Sequence, residues 1–102
     1  MANDKKTIGI TKSNTPLLAK LVVEGRFGSE LDAAKFAMAY AIKEKIDVSI
    51  TEGAETKWNV GSFDPDGSMR SLLEALFPDN TEPYRLAENL MNQGIKRLVE
   101  TL

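Results

Sequence analysis

Basic side chains near the amino terminus are the residues of this chain that could do chemistry. Five basic and two acidic groups give residues 1–27 a formal charge of +3, whereas residues 28–102 carry 8 basic and 13 acidic groups and sum to −5. Ammonium groups bind a polyanion by displacing the counterions condensed on its phosphates. The candidate phosphate ligands are Lys5, Lys6, Lys12 and Lys20. The cluster indicates an anionic partner, although chance clustering in a short tail explains it equally well.

The chain contains neither histidine nor cysteine. Without them the usual nucleophile and base pairs and most transition-metal sites cannot be built. Tyr40, Tyr84 and scattered carboxylates remain, but no pair of them stands at a chemically meaningful spacing. We therefore predict that the protein is not an enzyme and that it holds no cofactor and no metal. The net charge of −2 argues against a strongly electrostatic nucleic-acid binder.

The segment 6–46 positions these lysines and is predicted to form a strand followed by two helices. Alternation over residues 6–12 places two isoleucines on one face and Thr7 and Thr11 on the other. A lone strand of this length needs a partner. Pairing with its copy in a second subunit would satisfy both backbone edges, and a frayed terminal segment is the alternative.

Two helices are predicted to follow this strand. The first begins at Thr15-Pro16, where proline loses a donor that had no partner in any case, and it ends at Gly25. The second, roughly 30–45, is capped by Ser29 and is apolar nearly all round, with an alanine-rich middle. We interpret this helix as a subunit interface. The alternative is a central helix wrapped by the later helices of the same chain.

Residues 47–102 are predicted to hold a hairpin or loop and two further helices. The runs 46–51 and 56–60 alternate between apolar and polar residues around a glycine, which indicates a hairpin. Helix two could instead continue through residue 50.

The last two helices are marked by apolar stripes. Helix three, about 68–77, stops before Pro78. Its apolar side consists of Met69, Leu72, Leu73, Leu76 and Phe77. Helix four begins near residues 79–81, and we place Glu88 on its solvated face. Gly94 lies within its apolar stripe and indicates close packing or a bend.

Together these elements predict one domain over residues 1–102, mainly α-helical, with a short N-terminal strand and a small hairpin. Residues 1–5 are expected to be a flexible tail. No apolar run approaches the length that crosses a bilayer, and the start MANDKK is no secretory signal, so we expect no membrane association and a cytoplasmic location. The small size favours a homo-oligomer, either a dimer or a tetramer.

Residues 6–46 resemble the ribbon-helix-helix proteins of bacteria and phages. The resemblance is carried by the Ile8/Ile10 alternation, by Thr15-Pro16, and by the turn Gly25-Arg26-Phe27-Gly28-Ser29. It implies a ribbon-helix-helix-like N-terminal half plus two C-terminal helices, in dimers whose paired strands enter the major groove of DNA. On this resemblance Thr7 and Thr11 touch base edges, and backbone amides at Gly28 and Ser29 hold a phosphate.

The whole chain is also similar to the small DndE proteins of bacterial DNA phosphorothioation systems. The similarity lies in the order of four short stretches: Phe36-Ala37-Met38-Ala39, Trp58, Leu72-Leu73-Glu74-Ala75-Leu76 before Pro78, and Asn92-Gln93-Gly94-Ile95. It implies an oligomeric, non-catalytic DNA-binding accessory protein. That is the leading functional prediction, and the alternative is a protein-interaction or assembly module that binds no nucleic acid.

Overall fold

Two strands and five helices make up the part of the chain that the structure describes. The structure, a computed structural model, describes residues 4–25, 27–46 and 53–101. Its elements follow in the order β1 (Thr7–Thr11), α1 (Thr15–Gly25), α2 (Glu30–Lys43), β2 (Ala54–Asn59), α3 (Val60–Phe63), α4 (Ser68–Leu76) and α5 (Pro83–Glu100). The prediction of a mainly helical fold with a short N-terminal strand is confirmed.

The partner of β1 is β2 of the same chain. The two strands are antiparallel, in a register that runs from Thr7 opposite Asn59 to Thr11 opposite Ala54. Both isoleucines of β1 are buried, but in the core of their own subunit. The prediction that β1 pairs with its copy in a second subunit is therefore wrong, because the strand beside it belongs to the same chain.

The region after α2 also differs from the prediction. Residues 47–52, which include most of the first strand of the predicted hairpin, lie outside the described residues. Strand β2, which covers most of the second strand of that hairpin, pairs with β1. Helix two does not continue through residue 50. It ends at Lys43, because the N–H of Lys45 donates to the carbonyl of Ile42 and the N–H of Ile46 donates to that of Ala41, a closure typical of a helix C-terminus.

Helix α2 is covered on its alanine side by other helices of the same chain. Ala33, Ala34, Ala37 and Ala41 are fully buried, and α2 and α5 form the most extensive contact between helices. The central-helix alternative therefore accounts for this burial without a second subunit. Gly94 of α5 faces α2 so closely that even a methyl side chain would have no room, and the predicted close packing is confirmed.

Residues 4 and 5 are held against α5. The Asp4 carboxylate accepts hydrogen bonds from the backbone N–H groups of Tyr84 (2.8 Å) and Arg85 (3.0 Å). Both amides lie in the first turn of α5 and have no partner within the helix. Asp4 thus caps a helix that begins about eighty residues further along the chain, and the prediction of a flexible tail over residues 1–5 is wrong for its last two residues.

Candidate nucleic-acid interface

Lys5, the first of the predicted phosphate ligands, is engaged inside the protein. Its ammonium group lies 3.1 Å from Glu88 Oε1, and only 24% of its side chain is exposed. Glu88 itself is buried, which contradicts its predicted place on the solvated face of helix four. Because a buried carboxylate needs a compensating charge, Lys5 serves the fold and does not contribute to a surface stripe.

Thr7 and Thr11, the strand residues predicted to contact base edges, make hydrogen bonds within the protein instead. Thr11 is buried, and its Oγ1 accepts the N–H of Asn14 at 3.2 Å. It therefore does not face outward as predicted. Thr7 is half-buried, and its hydroxyl lies 3.4 Å from that of Thr56 on β2. The outer surface of β1 thus offers DNA one partly exposed threonine.

The N-terminus of α2, the predicted phosphate anchor, is capped by one serine and carries two acidic side chains. Ser29 Oγ accepts the N–H of Asp32 at 3.1 Å, which confirms Ser29 as the cap. Gly28 precedes it and is exposed. Two carboxylates, those of Glu30 and Asp32, lie in the first turn, and they place negative charge where a phosphate would bind. The local field therefore disfavours a phosphate at Gly28 and Ser29.

Three of the predicted basic residues remain on the surface. Lys6 and Lys12 are exposed and make no ion pair with the residues that the structure describes. Lys20 is exposed and lies 3.7 Å from Glu24, one helical turn away. An exposed pair of this kind contributes little stability and is readily exchanged for another partner. The structure therefore leaves Lys6, Lys12 and Lys20 accessible to a polyanion.

A buried polar network, which sequence reasoning missed, joins the second edge of β1 to α5. Glu88 Oε1 accepts the N–H of Gly9 at 2.7 Å, and Asn92 Oδ1 accepts the N–H of Thr11 at 3.0 Å. Asn92 Nδ2 donates in return to the carbonyl of Gly9 at 3.0 Å. With β2 on one side and α5 on the other, β1 has no edge left for a ribbon with a second copy.

Spacing could have revealed this network. Glu88 precedes Met91 by three residues and Ile95 by seven, so the helical period places it on the buried face. Asn92 follows Glu88 by four residues and lies on the same side. The signal was present in helix four, but the backbone groups that these side chains bind lie in a remote strand.

A second buried carboxylate, Asp64, holds the start of α4. Its two oxygens accept the N–H groups of Met69 and Arg70, both at 3.0 Å, and Oδ2 also accepts the hydroxyl of Tyr84 at 2.8 Å. Burial, and then the hydrogen bond to Asp64, raise the pKa of Tyr84 to about 12. Tyr84 is therefore a neutral donor near pH 7 and has no character of a general base.

This raised pKa predicts a loss of stability in alkali. The unfolded chain releases the Tyr84 proton near pH 10.0, whereas the folded chain holds it to about pH 12. Since the folded state binds this proton more tightly, its contribution is complete below pH 10 and is lost as the pH rises to about 12. Urea unfolding across this range should show a steeper decline in wild type than in Tyr84→Phe. Tyr40→Phe controls for the loss of one tyrosine hydroxyl. Equal slopes in Tyr84→Phe and wild type would contradict the assignment.

The described residues contain no cluster of three or more acidic ligands suited to a metal ion. Within 4–25, 27–46 and 53–101, no helix combines the length and the apolarity needed to cross a bilayer.

No protein-family model, curated protein or solved structure matches this chain.

Proposed function

We propose that this protein is a non-catalytic assembly module that associates with copies of itself through α4. The observation that carries the proposal is the exposure of Leu72 (45%) and Leu76 (49%), which lie one turn apart on that helix. Only Leu73 of the predicted apolar side of helix three is fully buried. The rest of the subunit therefore covers only part of the apolar face of α4 and leaves Leu72 and Leu76 in contact with solvent.

Two half-exposed leucines favour a partner for a simple physical reason. Complete burial of one leucine side chain is worth roughly 1.5–3 kcal/mol, so about half of that gain remains unrealised at each position. An interface with two-fold symmetry uses the same patch on both subunits, and it would gather four leucines.

Solution mass tests the proposal directly. At about 100 μM, light scattering should give at least twice the 11.2 kDa of one subunit, and Leu72→Glu/Leu76→Glu should reduce the mass to that of one subunit because four buried carboxylates repel. The matched control, Ser71→Glu/Ala75→Glu, adds the same charge at exposed positions of the same helix and should leave the mass unchanged. A wild-type protein that is monomeric at this concentration would contradict self-association.

The second candidate function is that of a DNA-binding accessory protein, and the exposure of Lys6, Lys12 and Lys20 favours it. The resemblances to ribbon-helix-helix proteins and to DndE proteins support the same proposal, as does the N-terminal excess of positive charge. The protein would contact the phosphates of DNA without regard to base sequence, because β1, the strand predicted to contact bases, is enclosed by β2 and α5. The absence of cysteine is compatible with the reducing cytoplasm in which such a protein would act.

Salt dependence tests this second candidate. If the three lysines each neutralise one phosphate, affinity for duplex DNA should fall roughly forty-fold between 50 and 200 mM salt. Replacing Lys6, Lys12 and Lys20 together by alanine should abolish most of this dependence. The control replaces Lys43, Lys96 and Arg97, which are also exposed, and makes the same change in net charge. An affinity that is independent of salt, or that falls equally in both triple variants, would refute contact through the N-terminal lysines.

A further inference from the structure

A groove with an apolar floor lies between the end of α2 and the first half of α5. Its volume is about 680 Å³, within the range of sites that hold small molecules. The apolar part of its lining, which we call the floor, comprises Ala41, Ile42, Ile46, Phe77, Leu86 and Leu90, and uncharged polar groups come from Asn80, Thr81 and Asn89. Three charged side chains, those of Lys45, Glu82 and Arg85, also line the groove.

Lys45 occupies a backbone position suited to glycine. Its φ is +53°, and it is the only residue other than glycine with a positive φ among the described residues. Side chains larger than glycine are disfavoured in this left-handed region. The positive φ belongs to the closure that ends α2, in which the N–H groups of Lys45 and Ile46 donate to carbonyls of the last turn. Glycine can therefore replace this lysine without disturbing the backbone.

The charges in the groove do not cancel. Arg85 is bonded to Glu82 through Nε and Oε2, which matches one positive charge with one negative charge. Lys45 makes no ion pair with any residue in the described ranges. The groove therefore combines an apolar floor with one ammonium group in excess.

We propose that this groove binds a small amphipathic carboxylate, with its hydrocarbon tail on the apolar floor and its carboxylate at Lys45. The tail takes the place of water over Ile42, Leu86 and Leu90, and the ion pair gives the site its preference for an anion. This site is separate from the leucines of α4 and from the N-terminal lysines, so it does not depend on either proposed function.

Decanoate, used below its micellar concentration, is the probe. Methyl NMR shifts on titration should move at Ile42, Leu86 and Leu90 and saturate, and decanol should bind at least ten-fold more weakly. Saturating shifts centred instead on Leu72 and Leu76, an absence of shifts at millimolar decanoate, or equal binding of decanol would overturn the proposal.

The variant Lys45→Gly separates loss of binding from loss of fold. Glycine suits the positive φ, so this variant should unfold at the same or a higher urea concentration than wild type, while its affinity for decanoate falls at least ten-fold. Lys43→Gln removes a nearby exposed charge that does not line the groove, and it should bind as wild type does. Unchanged affinity in Lys45→Gly would refute the role of the ammonium group.

Discussion

Replacing Gly94 by alanine should destabilise the protein by about 3 kcal/mol or more. A Cβ at this position would lie 2.0 Å from the carbonyl oxygen of Ala37 and 2.7 Å from its carbonyl carbon. Both atoms belong to the backbone of α2, so no change of rotamer relieves the overlap and the two helices must move apart. Separation would open the buried alanine face that joins α2 to α5.

The sign of this effect is the opposite of what helix propensity alone predicts. In an exposed helix, alanine is more favourable than glycine by roughly 1 kcal/mol. Gly61→Ala is the matched control, because a Cβ there meets only Asn59 Oδ1, at 3.4 Å, and it should stay within about 1 kcal/mol of wild type. Urea unfolding, followed by circular dichroism and by the fluorescence of Trp58, measures both. A Gly94→Ala protein as stable as Gly61→Ala would show that α2 and α5 are not this close.

Asn92→Ala should also cost about 3 kcal/mol or more, because it leaves several buried groups without partners. Asn92 Oδ1 accepts from the N–H of Thr11 (3.0 Å) and from Asn14 Nδ2 (2.9 Å), and Asn92 Nδ2 donates to the carbonyls of Gly9 (3.0 Å) and Glu88 (2.9 Å). All of these residues are buried. One side chain thus satisfies the strand edge, the start of α1 and its own helix.

The substitution Asn92→Asp separates the hydrogen bonds from the volume of the side chain. Aspartate keeps the shape and the acceptor oxygen but loses both donors, and it places a carboxylate against two carbonyl oxygens. Thermal unfolding should show it to be as destabilised as Asn92→Ala. Lys96→Ala, at an exposed site one turn further along α5, should remain within about 0.5 kcal/mol of wild type. If Asn92→Asp were nearly as stable as wild type, the loss of stability in Asn92→Ala would come from the cavity that alanine leaves and not from the lost hydrogen bonds.

Local signals in the sequence predicted the helices well. Thr15-Pro16 and Gly25 bound α1 as the structure has it, and Ser29 caps α2 as predicted. These signals succeed because capping and helix closure involve neighbours in the chain. The short helix α3 was missed, since it follows β2 directly and has only four residues.

Contacts between distant residues were not predicted. Alternation over β1 shows that the strand has a buried face, but it carries no information about which strand lies beside it. The prediction therefore placed β1 against a second copy, whereas β2 and α5 enclose it. The role of Lys5 was missed for the same reason: its charge is read from the sequence, but its ion pair with Glu88 depends on a helix some eighty residues away.

The enclosure of β1 has a consequence for synthesis on the ribosome. Both groups of backbone partners of this strand are made long after it, and those on α5 come from residues 79 to 83 positions later. At 5–20 residues per second, a nascent chain waits about 4–16 s for that helix. During this interval Ile8 and Ile10 cannot be buried as they are in the folded protein, because α5 has not been synthesised. A chaperone that binds short apolar segments would find them exposed during this time.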